Sequence, residues 1–218
     1  MKRFAVIGLG SFGRNVVQTL YDQGAEVIAL DIDEDAVQAC AEISHHAVVA
    51  DATDISALEG LAIGDVDVAI VSLGERMDRI TLTSLHLKEL GVPFVATKGI
   101  SDHHQKILYA IGVDEVIQPE KEAAVRLGTR LSLDRVHDVL PLLSNYGVVA
   151  VTATEQIAGR EIGSLESKNI QVVAIQRKNQ TNPTLVPKET EIINKEDMLI
   201  LLGINAEISE FTDLYCKD

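Results

Sequence analysis

The 218-residue chain reads as an α/β protein, a Rossmann-type parallel six-stranded sheet followed by a small α+β domain. Three observations predict this. Short β-branched runs alternate with helical periodicity up to about residue 119, the pattern of repeated βα units. A glycine loop, "GLGSFG", stands directly between the first such run and the first helical stretch. Hydrophobic residues make up 46% of the chain but aromatics only 4%, so the core is built from Val, Ile, Leu and Ala, as a sheet covered on both faces requires.

Strands are expected at "FAVIG" from Phe4, "EVIAL" from Glu26, "AVVAD" from Ala47, "DVAIVSLG" from Asp67, "PFVAT" from Pro93 and "EVIQP" from Glu115. Six strands at this spacing complete a Rossmann sheet. The helices between them carry apolar residues three and four apart, as in Val16, Val17 and Leu20, or Leu82, Leu85 and Leu90, or Ile107, Leu108 and Ile111. Asp54, Asp78 and Ser101 are placed to cap helix starts, and Gly24, Gly91 and Gly112 to end helices.

After Pro119, "EKEAAVRLGTRLSLDRVHDVLPLL" predicts a long helical segment interrupted near Pro141, packing on a second copy of the chain or on the next domain. A first domain is assigned to residues 1–134, with a crossover helix near 120–134, and a C-terminal domain to 135–218, with a linker over 135–145. From Tyr146 the second domain reads as a strand "GVVAVTAT", a helix near "AGREIGSLESKN", a strand "IQVVAIQRK", a polar turn "NQTNPT", the run "LVPKETEIINKEDMLILLG" and a last helix "AEISEFTDLY". A unit of this size is too small for an ordinary dehydrogenase substrate domain.

Lys and Arg number 19 against 33 Asp and Glu, and the net charge of −14 argues against nucleic acid or an anionic lipid surface as the main partner. No apolar run reaches the roughly 20 residues needed to span a bilayer, and no signal peptide is expected ahead of a strand that begins almost at Met1. Cys40 and Cys216 have no metal-like or redox-like spacing, which suits a reducing cytoplasm.

Gly8, Gly10 and Gly13 form G-x-G-x-x-G around Ser11 and Phe12. In this motif the first glycine permits a tight turn, the second lets backbone approach a pyrophosphate, and the third lets helix and strand pack closely. The helix N-terminus behind it attracts phosphate. Asp31 follows 18 residues after Gly13, where an acid accepts from ribose hydroxyls and repels a 2′-phosphate. Ile32 adjoins it, and Asp33 is placed equally well to assist or to cap the next helix. Asp51, with Ala52 and Thr53, ends the third strand where such folds meet the base, though Asp51 could also cap a helix. Ser72, Leu73 and Gly74 after the fourth strand, and Lys98 after the fifth, should border the same crevice, Lys98 near phosphate or as a surface lysine.

Hydride transfer needs a proton donor or acceptor beside the cofactor. No tyrosine has a lysine four residues later, and His45, His46, His86, His103, His104 and His137 read as surface or packing residues. No H-E-x-x-H, nucleophile elbow or Walker A is present. A phosphate loop without catalytic partners points to a nucleotide sensor and not an enzyme. The competing class is an NAD-dependent oxidoreductase with a small substrate domain. Glu120 stands just beyond the sixth strand, either as a first-turn acid or as a carboxylate sharing a divalent cation with polyphosphate.

"FAVIGLGSFGRNVVQTL", "VIALDIDEDAV", "AVVADATD", "LTSLHLKELGVP" and "GVDEVIQPEKEAA" together resemble the RCK or KTN proteins of the TrkA and KtrA type. These are cytoplasmic regulators of bacterial potassium channels and transporters. The resemblance implies homodimers and a homo-octameric ring under an integral-membrane potassium-translocating subunit, so a cytoplasmic protein peripheral to the inner face of the membrane. It implies an adenine nucleotide, ATP, ADP or NAD(H), in the crevice, held by Gly8, Gly10 and Gly13 at the phosphates, Asp31 at the ribose, and Asp51, Ala52 and Thr53 at the base. It also implies a cation, Mg or Ca, at Glu120 on the subunit interface. Many KtrA-type loops have arginine after the second glycine, whereas this chain has Ser11, with Arg14 three places later. Some relatives bind cyclic di-AMP at the C-terminal domain, and Ile175 and Pro187 lie in the corresponding region.

Overall fold

Parallel strands covered on both faces demand side chains that are apolar on both faces, and the short Val- and Ile-rich runs meet that demand. In the computed structural model, which describes residues 1–216 apart from 134, 144 and 166–168, these runs form β1 (Arg3–Ile7), β2 (Glu26–Asp31), β3 (His46–Val49), β4 (Val68–Val71), β5 (Phe94–Lys98) and β6 (Glu115–Ile117). They pair in the order β3-β2-β1-β4-β5-β6, all parallel. Alternation along β1 sends Ala5 and Ile7 into one core and Val6 into the other. The first core includes Leu87 and Leu108, and the second Val17 and Cys40. Each such fully buried aliphatic side chain contributes roughly 1.5–3 kcal/mol.

Between the strands lie α1 (Ser11–Asp22), α2 (Glu34–Gln38), α3 (Ile55–Gly60), α4 (Met77–Glu89) and α5 (Asp102–Ala110). Three of them end alike. Gly24, Gly91 and Gly112 have φ of +75°, +81° and +91°, a conformation glycine enters without steric cost. Their N–H groups donate to Tyr21, Lys88 and Tyr109, and those of the next residues donate to Leu20, Leu87 and Leu108. These are Schellman motifs, and each turns the chain directly toward the next strand. Asp33, Asp54 and Ser101 cap α2, α3 and α5 through their side chains. Asp78 does not cap α4 as expected; Arg76 holds the cap position, and Asp78 lies inside the first turn, paired with Arg76 at 3.0 Å.

The chain divides into two compact units, Met1–Pro119 and Glu120–Asp218. The second contains α6 (Pro119–Ser132, apart from its first residue), β7 (Val136–Leu143), β8 (Tyr146–Thr152), β9 (Ile170–Gln176), β10 (Thr184–Leu185), β11 (Met198–Ile204) and α7 (Asn205–Tyr215). Its sheet runs β10-β9-β11-β8-β7 with antiparallel pairing. The helix expected to continue to residue 143 stops at Ser132, and the segment taken as a linker over 135–145 carries a strand. At the edge of a sheet Pro141 needs no partner for a missing N–H, so the residue that looked like a helix break is tolerated in β7. Register shifts between Val136 and Asp138 and between Pro141 and Leu143 hide the strand's alternation. Residue 134, the expected domain boundary, is outside the described residues. In place of the helix expected near 158–169 there is one 3₁₀ turn, Ile162–Ser164, and 166–168 are not described. Within this unit Arg177 reaches the buried Asp197 at 2.6 Å and Glu191 at 3.1 Å, so the buried carboxylate is paired.

His104 is fully buried on α5, with its Nε2 at 3.2 Å from the Thr81 hydroxyl and its Nδ1 accepting from the Ile100 N–H at 3.4 Å. Burial holds its pKa below the ordinary value of 6.5. The unfolded chain therefore takes up a proton near that value while the native chain does not, and stability falls as pH drops below it. Urea unfolding at about pH 7.5 and about pH 5.5 should show wild type losing more stability over this interval than His104→Gln.

Candidate functional site

Strand order reverses between β1 and β4, and in sheets of this kind ligands bind beyond the carboxyl ends of the strands at that point. A crevice of about 210 Å³ lies there. Its floor is Gly8 and Gly10, one wall is Leu30, Asp31 and Ile32 with Ala50 and Ala52, and the other is Ser72, Leu73 and Gly74 with Arg76 and Arg79.

The three glycines have distinct physical roles. Gly8 has φ of +93°, and a Cβ on it would lie 2.1 Å from the Ser72 carbonyl oxygen. A Cβ on Gly13 would lie 1.9 Å from the Gly8 carbonyl oxygen, so α1 packs on the loop through bare backbone. Around Gly10 a Cβ would meet nothing within 4 Å, so there the missing side chain leaves open space beside the crevice. Gly10 is also the N-cap of α1, with no side chain satisfying the first turn. An anionic group fits this end, because unsatisfied amides and the helix dipole both favour it.

Asp31 is held from two sides: its Oδ2 accepts from the Leu9 N–H at 2.6 Å and its Oδ1 from the Asp33 N–H at 3.0 Å. The carboxylate thus ties the glycine loop to the turn after β2 while lining the crevice. Ile32, about half exposed, extends that wall. Asp33 takes the cap placement, accepting from the N–H groups of Asp35 and Ala36, and is not among the residues that line the crevice.

Asp51 accepts at one oxygen, Oδ1, from the Thr53 N–H (2.9 Å), the Thr53 hydroxyl (2.7 Å) and Arg79 Nη2 (2.7 Å). The Thr53 amide, then its hydroxyl, and the Arg79 guanidinium hold the Asp51 carboxyl below the usual range. Neither Asp51 nor Thr53 lines the crevice, whereas their partner Arg79 does. Among the other expected residues, Phe12 and Gly13 open α1, and Lys98 ends β5 outside the lining. Ser11 falls on a separate depression with Arg14, Asn15, Gln18 and Ile43. Glu120 sits in the first turn of α6, in the second unit.

Arg76 and Arg79 went unnoticed in the sequence. Their signal is "ERMDR" directly after "SLG": two cations at the start of a helix, where the dipole favours acids.

The fold and this crevice define a nucleotide-binding domain of the Rossmann class followed by a small antiparallel sheet domain. The TrkA-N domain model matches residues 4–119, and the chain belongs to that family. Ktr system potassium uptake protein C of Bacillus subtilis is 39% identical over 213 residues, covering 96% of each chain. Ktr system potassium uptake protein A of the same organism is 36% identical, covering 96% of this chain and 95% of its own. Among solved structures, the GsuK RCK domain superposes with a TM-score of 0.69 at 15% identity, over 99% of this chain and 48% of that one. The GsuK channel bound to NAD gives 0.68 at 15% identity, over 100% of this chain and 40% of that one. At that identity the likeness establishes the RCK fold.

Gly8→Ala and Gly13→Ala should each cost roughly 2 kcal/mol or more, because a Cβ would drive backbone from backbone. Gly10→Ala, with φ of −62° and open space, should stay within about 1 kcal/mol of wild type. Denaturant unfolding of the three variants checks the ranking.

Proposed function

We propose that the chain is a cytoplasmic, nucleotide-sensing regulatory subunit that gates a membrane potassium-translocating subunit, at the inner face of the membrane. The observation that carries this is the pair of potassium uptake relatives, 39% and 36% identical along nearly the whole length. No helix among the described residues is long and apolar enough to cross a membrane, so translocation falls to a partner. The effector is an adenine nucleotide, ATP, ADP or NAD(H), with its phosphates over Gly10 and the α1 N-terminus and its ribose at Asp31. Among the residues lining the crevice there is no His, Tyr, Lys or Cys to move a proton, and Asp31 already accepts two amide hydrogen bonds. This favours sensing over hydride transfer.

The geometry suggests how a ligand would be felt. The crevice is lined by the loops after β1, β2, β3 and β4, so one molecule bridges four segments at the carboxyl ends of the strands. If the assembled protein, a homodimer and homo-octameric ring, has two arrangements, a ligand shifts their ratio by its difference in affinity, about 1.4 kcal/mol for each tenfold. A divalent cation at Glu120 would be shared between two copies, since no three His, Cys, Asp or Glu side chains gather to hold a metal among the described residues. A cyclic di-AMP at the C-terminal domain would lie near Ile175 and Pro187, which are buried in the second unit, with Leu185 and Val186 exposed just ahead of Pro187.

Native mass spectrometry of freshly purified protein should show an assembly of eight chains retaining an adenine nucleotide. Gly10→Val should keep the wild-type unfolding transition and lose the nucleotide. A wild-type protein that binds no adenine nucleotide in calorimetry, or that turns over NADH with a carbonyl substrate, would overturn the sensor reading.

A further inference from the structure

We infer that the groove between α6 and β7, within the second unit, is a binding site for a phosphate monoester, with Arg126 and Arg130 as its phosphate-binding residues. The inference does not involve the crevice at the glycine loop, and it stands or falls apart from the nucleotide reading.

Ala123, Arg126, Leu127 and Arg130 recur at three and four residues along α6 and so share one face of the helix. With His137 and Asp138 of β7 they line a groove of about 410 Å³, larger than the crevice at the glycine loop. Two cations one turn apart on a helix repel each other, and the groove lining contains one carboxylate to offset them. Arg126 takes that carboxylate. It donates to Asp138 through Nε at 3.0 Å and through Nη2 at 2.8 and 2.7 Å, which leaves its Nη1 without a bond among the described residues. Arg126 and the Val139 N–H hold the Asp138 carboxyl below the usual range, and Arg130 adds a smaller pull from a distance.

Arg130 itself makes no hydrogen bond or ion pair among the described residues, yet it is only partly exposed. A guanidinium drawn partly out of water with no partner has lost hydration that nothing replaces. The helix dipole accounts for a cation in the last turn of α6, but not for five unspent donors on a residue that lines a groove. A phosphate answers both arginines. Its tetrahedral oxygens can accept from two guanidinium groups at once, whereas a planar carboxylate is used up by one fork, as Asp138 is by Arg126. His137 lines the β7 side, its ring fixed by the Thr152 hydroxyl at 2.5 Å from Nε2. Ala123 and Leu127 supply an apolar floor, and the groove has far more room than a bare phosphate fills, so the ligand is an ester on a small apolar body.

Calorimetric titration of inorganic phosphate and of phenyl phosphate into the full chain, at constant ionic strength, tests the site in wild type, Arg130→Gln and Gly10→Val, with thermal unfolding of each. Both anions should bind wild type with saturable heat and bind Arg130→Gln roughly tenfold or more weakly, the loss expected of a charged hydrogen-bonding pair. Gly10→Val, altered at the glycine loop, should retain this binding. If Arg130→Gln does not fold, Arg130→Met, which keeps the apolar stem, serves in its place. Phenyl phosphate should bind more tightly than inorganic phosphate; equal affinity overturns the ester and leaves a site for free phosphate. A wild type that gives no saturable heat with either anion overturns the site. Binding that Gly10→Val abolishes and Arg130→Gln keeps also overturns it, and leaves the crevice as the phosphate binder.

Discussion

The site depends on how closely three pieces of backbone meet at Gly8. Strand β4 approaches from one side through the Ser72 carbonyl, and α1 from the other through Gly13, with no side chain between them. Ser72 N–H donates to the Ile7 carbonyl at 2.7 Å and Gly8 N–H to the Leu30 carbonyl at 2.8 Å, so the ladder continues into the loops on both sides of β1. That contact sets the start of α1 and the position of the loop wall after β4. Asp31 completes it by clamping the Leu9 amide, which makes the same carboxylate both a structural tie and part of the wall. A ligand at Asp31 would compete with, or lean on, bonds that hold the glycine loop, so occupancy and loop geometry are coupled through one side chain.

Much of the first unit was legible because local and tertiary signals agree there. The β-branched runs, the glycines at 24, 91 and 112 and the caps at Asp54 and Ser101 each answer to short-range physics, and six strands formed where the runs lie. The failures share another cause. Asp78 was read as a cap from its type, but Arg76 binds its carboxylate and the helix has already begun at Met77, one residue before it. In β7 the apolar residues Val136, Val139, Leu140 and Leu142 satisfy a helical spacing as well as a bulged strand, and only pairing with β8, through residues 3 to 15 positions away in sequence, decides between them. Arg76 and Arg79 escaped because a motif search starts from the residues a motif contains. A charge that reaches the crevice from the first turn of the helix after β4 is visible only once the strands are ordered.

The electrostatics of the crevice differ from those of the whole molecule. A chain of net charge −14 repels an anionic nucleotide at long range, yet the lining contains two arginines and a helix N-terminus against one carboxylate. At physiological ionic strength the repulsion from charges more than about 8 Å away is largely screened, so the local arrangement governs binding.

The edges of the second sheet have a consequence for solubility. One edge strand, β10, is two residues long, and the other, β7, carries Pro141 and two register shifts. An unpaired strand is a template on which further chains can add, and a short strand, a proline and a kinked ladder are the features that spoil the template. Backbone recruitment is thereby suppressed at both ends of the sheet. Recognition through this sheet is left to side chains, which can be made specific, and not to main chain, which is the same in every protein.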